Sequence, residues 1–252
     1  MCFDRDALPP DPARTGMLSG SETTVLVAAD GNHFAATVAR TAEPASAGVV
    51  IIPDVRGLHR YYERLAEHLA DAGVHAAAID PYGRTAGAEH RDNDFDYAPH
   101  RAAVRDEGVR ADVRAAAEML RGNGATRALS MGFCFGGRAS LMQASQAGID
   151  GVIAFYGSPT QRLEGGVSPT EEAQERAVRA PVLGLYGGAD RGIPVAEVEA
   201  YDRTLDEAGV EHRIVVYPDA PHSFFDRKMS EYAEICRDAW AAVLGFIDSV
   251  QR

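Results

Sequence analysis

The sequence predicts an α/β fold in which helices flank a mostly parallel sheet. Short apolar runs of the kind buried on both faces of a sheet, such as "VVIIP" at 49–53, alternate with stretches of helical periodicity. Two β-rich runs within 23–40 instead surround Asp30-Gly31-Asn32, a turn sequence that favours an antiparallel hairpin. The expected sheet therefore has eight strands, of which the N-terminal two form an antiparallel pair.

The elements after the hairpin follow one another in regular alternation. The expected strands are 49–53, 74–80, 126–133, 151–157, 181–188 and 212–218. The expected helices are 60–72, 101–121, 136–147, 168–180, 195–208 and 232–250, and a capping box of Ser168 and Glu171 opens the fourth. Strands that alternate with helices form right-handed βαβ units, which is why most of the sheet is expected to be parallel.

Length and composition fit one soluble domain. We expect a single α/β domain over 21–252, preceded by a poorly ordered or surface-packed leader over 1–20 that holds several prolines. The formal net charge of −12 argues against a nucleic-acid partner. No apolar run is long enough to span a membrane, and three cysteines without a signal-peptide pattern favour a cytoplasmic protein, a monomer or a homodimer.

The pattern that carries the chemistry is Gly132-Phe133-Cys134-Phe135-Gly136, which joins a strand to a helix. Glycines two positions before and after a central nucleophile are typical of a nucleophile elbow, because the chain reverses within one residue. The helix N-terminus favours the thiolate form of Cys134, and the Phe135 N–H is placed where an oxyanion would form. On this motif alone, a buried structural cysteine remains the alternative interpretation.

Two later strand ends supply partners for this cysteine. Asp190 follows the strand at 181–188, and His222 follows the strand at 212–218. Hydrolases with a nucleophile elbow carry the acid and then the base after the nucleophile in the chain, each beyond the carboxyl end of a strand. The order therefore predicts a triad in which His222 takes the Cys134 proton and Asp190 orients the imidazole.

The motifs "GFCFGG", "GGAD" and "APHSF", with "PDVRGL" and "DPYGR" earlier, resemble those of the dienelactone hydrolases, also called carboxymethylenebutenolidases. The resemblance runs from about residue 21 to the end of the sequence. It implies an α/β-hydrolase fold and hydrolysis of a lactone or small activated ester through a thioester intermediate. The histidines show no metal-ligand spacing, so we expect neither a metal nor a cofactor.

The resemblance also implies roles for residues around the cysteine. Val55 would supply a second oxyanion N–H beside that of Phe135, and Asp54 would be a carboxylate near the nucleophile, where the family usually has Glu. Arg84 in "DPYGR" would hold a substrate carboxylate. The family has a second arginine four residues after the catalytic histidine, but this chain has Asp226 there.

Two long segments, 81–100 and 158–180, are expected to cover the site, and Tyr156, directly after a strand, is expected to line the pocket. We therefore interpret the chain as a hydrolase of a small-molecule lactone or ester. A thioesterase or broad-specificity carboxylesterase with the same triad is the alternative. A non-catalytic binding protein on the same fold is the more remote one.

Overall fold

An eight-stranded sheet forms the centre of the protein, whose computed structural model describes Pro9 and residues 17–251 apart from residues 90, 93 and 227. The strands are β1 (Leu18–Val27), β2 (His33–Thr41), β3 (Ala47–Ile52), β4 (His75–Ile79), β5 (Arg127–Phe133), β6 (Gly151–Phe155), β7 (Val182–Gly187) and β8 (His212–Tyr217). Their spatial order is β1-β2-β4-β3-β5-β6-β7-β8. The pairs β1–β2 and β2–β4 are antiparallel and all others are parallel, so the predicted fold class is confirmed.

Helices cover both faces of this sheet. They are α1 (Arg60–Asp71), α2 (Gly83–Ala86), α3 (Ala98–Ala103), α4 (Asp106–Gly122), α5 (Phe135–Leu141), α6 (Pro169–Gln174), α7 (Val195–Ala208) and α8 (Ala233–Val250). The apolar stripes of α1 and α8 join one buried cluster, and that of α4 joins a second cluster. These three helices thus bury the face that their three- and four-residue spacing predicts.

The predicted helix over 101–121 is wrong at its start, because α3 and α4 are separate. Val104 and Arg105 are extended between them, with ψ values of 138° and 149°. Asp106 and Glu107 then occupy the first turn of α4, where acidic side chains favour a helix N-terminus. Arg101 consequently lies on α3 and not on the long helix.

Two further helices are shorter than the sequence predicts. The helix expected over 136–147 ends at Leu141, and the chain continues in i-to-i+3 turns such as that from Ala144 N–H to Leu141 O. The helix expected over 168–180 ends at Gln174, but the capping box at its start is present as predicted.

The predicted leader over 1–20 lies, apart from Pro9 and residues 17–20, outside the described residues. β1 begins at Leu18 and so takes up the last three residues of that range. Within the described part of the chain, no helix is long and apolar enough to cross a membrane.

The parallel strands end side by side at one edge of the sheet. The register pairs Ile52 with Gly132, Phe133 with Phe155 and Gly187 with Tyr217. The segments that follow β3, β5, β6, β7 and β8 therefore meet at this edge, where ligand sites of parallel sheets lie.

Candidate active site

The turn between β5 and α5 has the sharp geometry of a nucleophile elbow. Cys134 has a φ of 53° and a ψ of −112°, and such positive φ values are rare for residues other than glycine. Its N–H donates to Phe155 O at 3.0 Å, which ties the turn to the end of β6. The turn thus holds the thiol at the carboxyl edge of the sheet and leaves it partly exposed.

The glycines of the elbow are required by close backbone packing. A Cβ on Gly132 would collide with the carbonyl oxygen of Gly136. A Cβ on Gly136 would collide with the carbonyl oxygens of Ile52 and Pro53. Because backbone atoms cannot move aside as a flexible side chain does, the turn can close against β3 only with glycine at both positions.

His222 and Asp190 form a close pair beside the elbow. His222 Nδ1 lies 2.6 Å from Asp190 Oδ2, while Asp190 Oδ1 accepts from the N–H groups of Gly192 at 2.7 Å and Ile193 at 3.3 Å. The Asp190 side chain is 2% exposed and that of His222 33%. The carboxylate is therefore fixed by backbone donors, and it sets the orientation of the imidazole.

The electrostatics of this pair favour a charged imidazole. Burial lowers the pKa of His222, but the hydrogen bond to Asp190 and the hydrogen bond and charge of Cys134 outweigh this and raise that pKa to about 10. Burial raises the pKa of Asp190, but His222 and the Gly192 and Ile193 N–H groups bring it below its ordinary value. The surroundings of His222 therefore favour the charged form of its imidazole.

A cavity of about 350 Å³ opens onto these groups. Its wall includes Cys134, His222 and three further residues that the sequence analysis singled out, Val55, Phe135 and Tyr156. Tyr156 also packs its ring 4.9 Å from that of His222. The structure therefore brings the three proposed triad residues, the two proposed oxyanion donors and the predicted pocket tyrosine to one place.

Asp54 does not line this cavity. It is fully buried one residue before Val55, and its Oδ1 accepts from the Arg56 N–H at 2.8 Å. Its N–H donates to the Tyr62 hydroxyl at 3.2 Å. These contacts hold the turn that presents Val55, while the expected role of Asp54 beside the nucleophile stays a prediction.

Arg84, the residue expected to hold a substrate carboxylate, lies outside the cavity. Its guanidinium pairs with Asp30 at 2.7 Å and with the fully buried carboxylate of Asp112. Among the described residues, the arginine that lines the cavity is Arg101 on α3, which the sequence analysis missed. Arg101 was missed because the sequence analysis assigned residue 101 to the long helix and not to the segment that covers the site.

Asp226, at the position where the resemblance implies a second arginine, is 2% exposed. Its Oδ2 accepts from the Tyr156 hydroxyl at 3.0 Å. The neighbouring Arg227 lies outside the described residues. Asp226 thus lies behind the tyrosine on the cavity wall and not among the lining residues.

The segment over 158–168 is held against the elbow by a buried arginine. Arg138, in α5, forms a two-point ion pair with Asp106 and is fully buried. It also donates to Gln161 O at 3.1 Å and to Val167 O at 2.7 Å. Since Gln161 lines the cavity, Arg138 links the helix after Cys134 to one wall of the site.

One group of ionisable side chains lies away from the cavity. His212 Nδ1 is 2.7 Å from Val210 O, and its Nε2 is 3.1 Å from Asp202 and 3.9 Å from Asp206. One ligand atom from each of the three side chains lies within 4.8 Å of the others. The cluster belongs to α7 and the start of β8, and none of its three side chains lines the cavity.

The chain is similar in sequence to proteins of one known family. The model of the dienelactone hydrolase family matches residues 16–251. A curated relative from Escherichia coli O157:H7, named "Putative carboxymethylenebutenolidase", is 34% identical over 207 residues, which cover 78% of this chain and 74% of the relative. A relative of the same name from Methylorubrum extorquens is 33% identical over 215 residues, covering 79% and 72%.

Solved structures agree with this fold. A crystal structure from Klebsiella pneumoniae subsp. pneumoniae, described as a "Putative Dienelactone Hydrolase", has a TM-score of 0.79 at 28% identity and covers 91% of this chain and 98% of its own. A thermophilic esterase from Thermogutta terrifontis has a TM-score of 0.71 at 16% identity, covering 92% and 95%. At that identity the second likeness concerns the fold alone.

Proposed function

The chain belongs to the dienelactone hydrolase family and is a hydrolase acting on ester bonds, and we propose that it cleaves a lactone or small activated ester through a thioester on Cys134. The observation that carries this proposal is the pairing of His222 with Asp190 at 2.6 Å, in a cavity that Cys134 also lines. A nucleophile, a base and a group that orients the base are the three parts that covalent acyl transfer needs.

The first half-reaction transfers the acyl group to sulfur. The Cys134 thiolate attacks the substrate carbonyl, and the N–H groups of Val55 and Phe135 stabilise the oxyanion. The carbonyl re-forms as the bond to the leaving oxygen breaks, and that oxygen takes the proton from the His222 imidazolium. For a lactone, the alcohol stays attached to the acyl group.

The second half-reaction releases the acid. His222, now neutral, takes a proton from a water molecule that attacks the thioester carbonyl, and the Cys134 thiolate leaves. The carboxylic acid departs and the imidazolium is restored. Asp190 keeps its negative charge throughout and stabilises the imidazolium at each stage.

Other candidate nucleophiles fit the geometry less well. Ser130 and Ser140 are fully buried and hydrogen-bond to each other at 2.8 Å. Cys236 is 1% exposed on α8, where burial raises the pKa of its thiol to about 12. Cys134 combines partial exposure, an elbow conformation and a histidine partner.

The experiment measures hydrolysis of 4-nitrophenyl acetate and of dihydrocoumarin, a neutral lactone, by Cys134→Ala and by Cys236→Ala. We expect kcat/KM of Cys134→Ala to fall by about a thousandfold or more, because the nucleophile is lost. Cys236→Ala removes a thiol of the same size outside the cavity and is expected to keep its activity. Comparable turnover by Cys134→Ala and the unaltered protein would contradict the proposal. A strong preference for acyl-thioesters over both substrates would favour the thioesterase alternative.

A further inference from the structure

Three side chains outside the cavity, those of Asp202, Asp206 and His212, come together where α7 leads into β8. Asp202 and Asp206 are one helical turn apart and so share a face of α7, and His212 is the first residue of β8. One ligand atom from each side chain lies within 4.8 Å of the other two. Carboxylate oxygens and an imidazole nitrogen are the donors that zinc and similar divalent ions take from proteins.

The backbone determines which nitrogen of His212 faces the two carboxylates. Nδ1 lies 2.7 Å from the carbonyl oxygen of Val210, which can only accept a hydrogen bond, so Nδ1 carries the proton. In the neutral ring Nε2 then has a lone pair, and Nε2 is the atom that lies beside Asp202 and Asp206. Histidines that bind metals are oriented in this way, by a bond from the other ring nitrogen to a carbonyl or carboxylate. The His212 side chain is only 9% exposed, which limits the orientations that its ring can take.

The contact between Nε2 and Asp202 lacks the alignment of a hydrogen bond. A ring N–H needs its acceptor near the line along which the hydrogen points. Within the described part of the chain, His212 forms a hydrogen bond through Nδ1 and none through Nε2. Two ligands of one tetrahedral zinc ion lie about 3.3 Å apart, with the ion and not the second ligand on that line. The distances of 3.1 Å to Asp202 Oδ1 and 3.9 Å to Asp206 Oδ1 are therefore close to those of ligands that share an ion.

The two aspartates also carry negative charge that the fold does not balance. Like charges four residues apart destabilise a helix, and acidic groups near its C-terminus oppose the helix dipole. Asp206 lies in the last turn of α7, which contains no basic residue. As far as the chain is described, neither aspartate forms an ion pair with a lysine or arginine. A bound divalent cation would relieve both unfavourable interactions.

We propose that Asp202, Asp206 and His212 bind a divalent transition-metal ion, with water as the remaining ligands. The side chains of Asp202 and Asp206 are 43% and 75% exposed, so the ion is reached from solvent. It joins the end of α7 to the start of β8 across residues 209–211 and stabilises this junction. The sequence analysis expected no metal because it considered the spacing of the histidines, whereas two of these three ligands are aspartates.

Calorimetric titration with Zn²⁺ tests the site, after a chelator has removed metal from the protein. We expect the unaltered protein to bind Zn²⁺. In Asp202→Asn and in His212→Gln, each of which removes one ligand, one Zn²⁺ per chain should be lost or bound about tenfold more weakly or worse. Counting the ions per chain separates this site from zinc that binds elsewhere, such as at the Cys134 thiolate.

Glu207→Gln is the matched control. Glu207 is exposed and follows Asp206 in α7, so the substitution removes one negative charge beside the site but none of the three ligands. It is expected to bind Zn²⁺ as the unaltered protein does. Zinc binding that is unchanged in both Asp202→Asn and His212→Gln would overturn the inference. So would the absence of zinc binding by the unaltered protein, in which case a charged His212 held by the two carboxylates accounts for the cluster.

Thermal unfolding gives a second readout, in which each protein is compared with itself in the presence and absence of saturating Zn²⁺. Differences in stability between the variants therefore cancel. We expect Zn²⁺ to raise the Tm of the unaltered protein and of Glu207→Gln by about 3 °C or more, because the ion binds the folded state, and that of Asp202→Asn by less than about 1 °C. An equal rise in Asp202→Asn and the unaltered protein would contradict the proposal. Neither measurement involves ester hydrolysis, so the proposed function is tested separately.

Discussion

The Tyr156 hydroxyl donates to the Asp226 carboxylate at 3.0 Å, which ties the end of β6 to the segment that carries His222. Tyr156 has a φ of 39°, and its ring packs 4.9 Å from that of His222. Burial, with the charge of Asp226, raises the pKa of Tyr156 far above its ordinary value, so the hydroxyl remains a donor. Asp226 thus accepts from a tyrosine that packs against His222, at the position where the family resemblance implies a second arginine.

Tyr156→Phe removes this donor from a buried carboxylate. We expect the free energy of unfolding to fall by about 1 to 3 kcal/mol, because Asp226 loses a hydrogen bond that water does not replace. We also expect kcat to fall by about tenfold or more, because the His222 ring is held less firmly. Urea denaturation and steady-state kinetics measure the two effects.

Tyr217→Phe is the control for that substitution. Tyr217 also donates to an aspartate, Asp238, at 2.8 Å, but it does not line the cavity. We expect it to lower stability without lowering kcat. If Tyr156→Phe and Tyr217→Phe gave the same kinetic profile, the positioning role of Tyr156 would be wrong.

The buried ion pair of Arg138 and Asp106 predicts a large loss of stability. Asp106→Asn leaves the fully buried Arg138 without its counter-charge, and breaking such a pair costs about 3 to 5 kcal/mol. Arg64→Gln, which breaks an exposed pair with Glu67, should cost less than about 1 kcal/mol. Chemical denaturation of both variants measures the two losses of stability. Similar losses would contradict the stabilising role of the buried pair.

Substitution by alanine is expected to have opposite effects at two glycines, one beside Cys134 in the elbow and one on α8. Gly136→Ala places a Cβ against the Ile52 and Pro53 carbonyls, so we expect strong destabilisation and loss of activity. Gly245→Ala lies in α8 with no atom within 4 Å of the added Cβ, and should stabilise the helix by about 0.5 to 1 kcal/mol. Thermal unfolding measures both. A tolerated Gly136→Ala would show that the turn is not so tight.

The raised pKa of His222 predicts how stability depends on pH. Since the folded pKa of about 10 exceeds the ordinary 6.5, the contribution of His222 is fully present below pH 6.5 and is lost as pH rises through 10. We expect the free energy of unfolding to decline over this window, and less so in His222→Gln. Denaturation of both proteins at several pH values isolates this group, and parallel declines would contradict the assignment.

Local sequence patterns predicted much of the fold and led to the residues of the proposed triad. The periodicity of apolar residues located the strands, and the glycines around Cys134 located the elbow, because both depend on neighbours in the chain. Asp190 and His222 were proposed as partners of Cys134, since each directly follows a strand. That they meet at 2.6 Å follows from the adjacency of β7 and β8, which the sequence alone does not specify.

The features of the site that the sequence did not predict depend on contacts between segments that are distant in the chain. Arg84 matches the family motif, yet it is held by Asp112, 28 positions away, and such a partner leaves no local signal. Arg101 was missed because the break at Val104, which separates α3 from α4, has no glycine or proline to mark it. No local pattern indicated that Arg138 contacts Gln161 either, because the two residues lie 23 positions apart and meet only in the folded chain.

The thioester on Cys134 is the central claim, and intact-mass spectrometry after rapid acid quenching tests it most directly. The protein is mixed with 4-nitrophenyl acetate, and peptide mapping then locates the acyl group. We predict one acetyl group per chain on the peptide that contains Cys134, and a longer-lived adduct in His222→Gln, where the base for deacylation is missing. Steady turnover with the acetyl group on another residue, or with Cys134 unmodified throughout, would contradict the account.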